Sequence, residues 1–150
     1  MSILVTGLFV AQLLVGGYLY SFVLGAGQRS SNARATRIPD LVAFVHPLAA
    51  IVTFSCWLAY LANDDKTFAW ATFALLLLTA SGGAVMALKT LTGSPVVDRP
   101  SPRQGILDPG DPAEVRVAEK QIPRAAVAVH GLIFLVLTVG TLLVALDAVD

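Results

Sequence analysis

Four apolar runs without a charged side chain constrain this sequence more than any other feature. They cover roughly residues 4–26, 41–62, 68–88 and 125–146, and none contains Asp, Glu, Lys or Arg. Each has about 20 residues or more, the length a helix needs to cross a hydrocarbon core ~30 Å thick. In lipid a spanning segment must pair its own backbone N–H and C=O groups, so each run is expected to be helical. Whole-chain composition agrees, with 56% hydrophobic residues and a mean hydropathy of +0.75. That is too apolar for an ordinary soluble domain, whose apolar share runs near half. At 150 residues one domain is expected. The fold class is therefore all-α: an integral membrane four-helix up-down bundle in contact with membrane lipid.

The first run is read as an uncleaved helix. A secretory signal would carry a basic n-region and a shorter apolar stretch of about 7–15 residues. Cys56 is the only cysteine and lies inside the second run, so no intrachain disulfide forms. A formal net charge of zero gives no nucleic-acid signature. Local charge is more informative. The connection after the first run holds Arg29, Arg34 and Arg37, and the long one after the third holds Arg99, Arg103, Arg116, Lys120 and Arg124. The turn Asn63-Asp64-Asp65-Lys66 has one lysine, and the termini have neither Lys nor Arg. The Lys/Arg bias places both basic connections in the cytoplasm and both termini outside, in a cell inner (plasma) membrane.

The two histidines of the chain occupy one repeated motif. Ile38-Pro39, five residues, Val45-His46 recurs as Ile122-Pro123, five residues, Val129-His130, and the match continues at Leu48/Leu132, Val52/Val136 and Leu58/Leu142. This is read as an internal two-helix repeat. Flanking positions differ freely, with Asp40 against Arg124, Phe44 against Ala128 and Pro47 against Gly131. Each histidine follows a polar boundary residue by six positions, roughly 9 Å of helix. Helices two and four run parallel and are diagonal in an up-down bundle, where facing side chains hold cofactors. An ionisable residue inside a membrane is by default a functional hypothesis. Two imidazoles at equal depth suggest axial ligands, on opposite faces, to one flat cofactor.

The other two helices carry Gly16-Gly17 and Gly82-Gly83, the latter beside Ala80 and Ser81. These are read as bare backbone offered to the edges of a macrocycle; ordinary membrane helix packing also favours such residues. Arg34, Arg37, Lys120 and Arg124 stand near the cytoplasmic boundary, as partners for propionates or as plain topology signals. Structural zinc wants about four N or S ligands, and none accompany the histidines. The runs lack the carboxylates a proton or ion pathway would show, which disfavours a small transporter.

The frame of His46 and His130 on alternate helices, with glycine doublets on the other pair, resembles the membrane-bound b-type cytochromes. These include the cytochrome b and b561 groups and the haem-bearing membrane anchors of respiratory enzymes. The resemblance covers the four-helix frame but few specific positions. Larger members place two histidines on each ligating helix and bind two haems; one per helix here allows a single haem b. The resemblance implies an electron-transfer subunit of a larger membrane redox complex, exchanging electrons with quinone or another redox centre. The rival reading is a cofactor-free accessory or scaffold subunit.

Pro39 and Pro123 are expected at helix entries, and Pro47 inside helix two is expected to kink it. Trp57, Tyr60 and Trp70 read as an aromatic belt. Gln12 reads as an interhelical hydrogen-bonding residue. The proline-rich cytoplasmic connection, about 92–121, is too long for a simple loop. A short helix is expected near its end, from Asp111-Pro112-Ala113-Glu114 to Gln121.

Overall fold

The computed structural model describes residues 1–25, 38–92 and 122–148. These form four helices, α1 (Ser2–Gly25), α2 (Asp40–Asn63), α3 (Lys66–Thr92) and α4 (Arg124–Ala145), with no strand among the described residues. Each is long and apolar enough to cross a membrane. The expected short helix after Asp111 lies outside the described residues, as do Arg34 and Arg37.

Local chemistry sets the boundaries. Pro39 (φ −57°) and Pro123 (φ −65°) stand immediately before α2 and α4, where proline's fixed φ and missing N–H cost the helix nothing. α2 remains one helix across Pro47. It ends at Asp64, which takes the left-handed conformation (φ 53°) and donates its N–H to Tyr60 O at 2.8 Å. Asp tolerates that region because its short polar side chain can hydrogen-bond locally. Asp65 then starts α3 by accepting the Thr67 N–H on Oδ1 at 2.8 Å. This hydrogen bond holds the Asp65 carboxyl below its ordinary value. α3 continues past its apolar run as far as Thr92. There the Thr90 and Thr92 hydroxyls fold back onto the carbonyls of Met86 and Leu88.

A two-residue link makes α2 and α3 antiparallel neighbours. Around the bundle α1 packs on α2 and α4, and α3 packs on α2 and α4, while the backbones of α1 and α3, and of α2 and α4, stay apart. The expected diagonal placement of α2 and α4 is therefore observed. Cross-helix bonds fix the up-down sense. Trp57 near the end of α2 donates Nε1–H to Thr6 Oγ1 near the start of α1, at 2.9 Å. Lys66 at the start of α3 donates to Val144 O at the end of α4 (3.0 Å) and pairs with Asp147.

Apolar side chains cover the outside as well as the inside. Ile3 is 90% exposed and Leu41 75%, a surface suited to hydrocarbon and costly in water. Buried apolar clusters gather toward both ends of the bundle. At the end bearing the Asp64–Asp65 link, Val5, Phe9, Trp57, Tyr60, Leu137 and Val144 form a tight cluster. Its rings stack in tilted pairs, Phe9–Trp57 at 5.8 Å and Trp57–Tyr60 at 5.0 Å. Gly140 lets α4 approach α1 so closely that a Cβ there would sit 3.0 Å from Val5 Cγ2. At the opposite end Val23, Ile38, Ala43 and Ile122 form a smaller cluster.

Candidate cofactor site between diagonal helices

Between the two clusters lies a partly open cavity of about 1080 Å³, slightly above the ~300–1,000 Å³ of small-molecule and cofactor sites. His46 of α2 and His130 of α4 both line it. Its walls are almost wholly apolar, and no Asp, Glu, Lys or Arg is among its lining residues. The repeated motif explains how both rings arrive there. Ile38 and Ile122, eight residues before each histidine, are both buried in the smaller cluster, at 2% and 8% exposure. Equal spacing from a shared cluster sets the two imidazoles at comparable heights.

His46 rests on α3. Its Nδ1 lies 3.1 Å from the carbonyl oxygen of Thr79. Only a donor can face a carbonyl, so the proton sits on Nδ1 and Nε2 keeps its lone pair. Gly83 makes the approach close: a Cβ there would stand 3.1 Å from His46 Cε1, while one at Gly82 would make an ordinary contact 3.5 Å from Nδ1. Thr79 is held in turn, its hydroxyl donating to Leu75 O at 2.8 Å and lying 3.5 Å from the Thr53 hydroxyl of α2.

His130 rests on α1 in a related way but with a different partner. A Cβ at Gly16 would stand 3.1 Å from His130 Cε1, so this ring too lies against bare helix backbone. The Gln12 side-chain amide donates from Nε2 to His130 Nε2 at 3.2 Å. The expected interhelical role of Gln12 is thus seen, with a histidine as its partner. Gln12 Oε1 and His130 Nδ1 are buried and have no hydrogen-bond partner among the described residues. Turning the amide over would exchange donor and acceptor yet leave the same two positions unpaired. A buried unpaired polar atom costs about 1–3 kcal/mol, so this pair is incomplete as it stands.

The structure thus brings together His46, His130, Gly16, Gly17 and Gly83 at one cavity, with Gly82 directly behind His46. Three of the four glycines offer bare backbone to imidazole rings, while a Cβ at Gly17 would meet nothing within 4 Å. Arg124, at the first position of α4, is exposed and is not among the lining residues. Thr53 and Thr79 line the site without having been singled out from sequence. A signal existed: Thr79 precedes Gly83 by four residues, as Gln12 precedes Gly16. One helical turn places a polar group next to a bare patch of backbone.

Among the described residues no three or more His, Cys, Asp or Glu side chains gather; two imidazoles, His46 and His130, line the cavity. The cavity walls around the two imidazoles are mainly apolar. His46 donates its Nδ1–H to a backbone carbonyl, an arrangement also common for imidazoles that bind metals. No family model matches this chain, and no curated protein or solved structure is significantly similar to it.

Proposed function

We propose that the protein is a membrane electron-transfer subunit that holds one haem b between His46 and His130. The observation that carries this is the convergence of two imidazoles from diagonal helices on one apolar cavity, with His46 Nε2 left as a lone pair by the Thr79 hydrogen bond. A haem held by both histidines would supply one-electron transfer rather than substrate activation. The chain's contribution is orientation and exclusion of water. Thr79 fixes the tautomer and rotation of His46, Gly16 and Gly83 let both rings lie against helix backbone, and Phe9, Leu76 and Leu137 wall the cavity off from one end.

On the sequence evidence the partners are other subunits of a redox complex in the cell inner membrane, with quinone or another redox centre as the exchange partner. The basic connections place the termini outside and the histidines near the cytoplasmic face. Arg34, Arg37 and Arg124 are the candidate partners for propionates. The test is the reduced-minus-oxidised optical spectrum of protein purified from haem-replete cells. A six-coordinate b-type spectrum is expected, lost in both His46→Ala and His130→Ala. A second reading, a cofactor-free scaffold subunit, draws on the fact that each imidazole already has a partner on a neighbouring helix. It predicts a colourless protein that folds normally.

A further inference from the structure

We propose that the two axial positions are unequal: His46 is the fixed ligand, and Gln12 makes His130 the exchangeable one. The inference rests on the haem-binding function above and concerns how the two ends of that ligand pair are held. His46 uses Nδ1, the nitrogen that does not ligate, for its bond to Thr79 O. Its acceptor is a backbone carbonyl, which the helix keeps in place, and binding through Nε2 would leave that bond intact. His130 is held the other way round. Gln12 occupies Nε2, the nitrogen a macrocyclic iron would take, and Nδ1 is the unpaired one.

Ligation by His130 therefore competes with the Gln12 amide, whereas ligation by His46 competes with nothing seen among the described residues. Unlike the Thr79 carbonyl, which is part of the α3 backbone, the Gln12 amide is carried by a side chain with rotatable bonds. Gln12 is thus a positioning residue that sets how readily the second axial bond opens to an incoming small ligand.

Carbon monoxide on the reduced, detergent-purified protein is the probe. Wild type is expected to convert in part to the carbon monoxide form, with His130 displaced. His130→Ala should retain its haem and convert fully, and His46→Ala should lose the haem. Gln12→Met keeps the side-chain length and removes the competing amide. Its carbon monoxide-bound fraction should fall relative to wild type by about two- to tenfold in the exchange equilibrium, the span of one ordinary hydrogen bond. Far-UV circular dichroism checks that each variant is helical. Should His46→Ala not fold, His46→Gly supplied with imidazole should recover haem, whereas recovery by His130→Gly alone would reverse the assignment. Equal haem loss in both alanine variants, with carbon monoxide leaving wild type and Gln12→Met unchanged, would overturn the inequality while leaving haem binding intact. A wild-type protein that takes up no haem would overturn both.

Discussion

The end of the bundle around Trp57 and the half around the two histidines are built from the same four helices, yet they solve opposite packing problems. Near Trp57 the helices are drawn together. The indole is completely buried, its N–H satisfied by Thr6, and Gly140 serves only to let α1 and α4 close up. Around His46 and His130 the helices are held apart around about 1080 Å³. Lipid gives apolar helices little hydrophobic reason to associate, so membrane bundles depend on contact and interhelical hydrogen bonds. A bundle closed at one end by aromatic contact can keep a cavity in its other half without falling apart. Glycine shows the contrast most clearly: at 140 it marks contact, and at 17 it marks space.

Substitutions should expose that difference in size and in sign. Trp57→Ala removes the centre of the tightly packed end and the indole N–H that the Thr6 hydroxyl accepts. We expect a loss of about 3 kcal/mol, at the low end for large-to-small core changes because lipid replaces some of the lost contact. Reversible unfolding in mixed micelles measures it. Gly140→Val drives a branched side chain against Val5 and should cost about 2 kcal/mol in the same assay. Gly17→Ala adds a methyl where nothing lies within 4 Å, so the gain in helix propensity should dominate and stabilise by roughly 0.5–1 kcal/mol. A destabilisation from Gly17→Ala as large as that from Gly140→Val would mean that the two halves are packed alike.

Much of this architecture was legible in the sequence because membrane spans obey a harsh rule. Charges, prolines and the acidic link mark where each helix must start or stop, and the observed ends fall within a few residues of the apolar runs. The short Asp64–Asp65 link also made the diagonal placement of α2 and α4 predictable. The rotation of each helix about its axis was not legible, since every face is apolar and amphipathic pattern is absent. For that reason the sequence assigns the glycine doublets to the edges of a macrocycle and gives no sign of the histidine rings beside them. In the bundle Gly16 and Gly83 lie against imidazoles, while Gly17, one residue on, turns to open space. The histidines were legible as a pair through their repeated spacing. Their unequal partners, a carbonyl for one and an amide side chain for the other, depend on helix contacts that no local pattern encodes. Arg124 stands exposed at its helix start, as its position beside Pro123 suggests.

Haemin titration of the detergent-purified protein, followed in the Soret band, tests the central claim most directly. We predict saturation at one equivalent per chain with a bis-imidazole spectrum, and no such endpoint when both histidines are replaced by alanine. A featureless, non-saturating rise in wild type, indistinguishable from partition into micelles, would contradict the account.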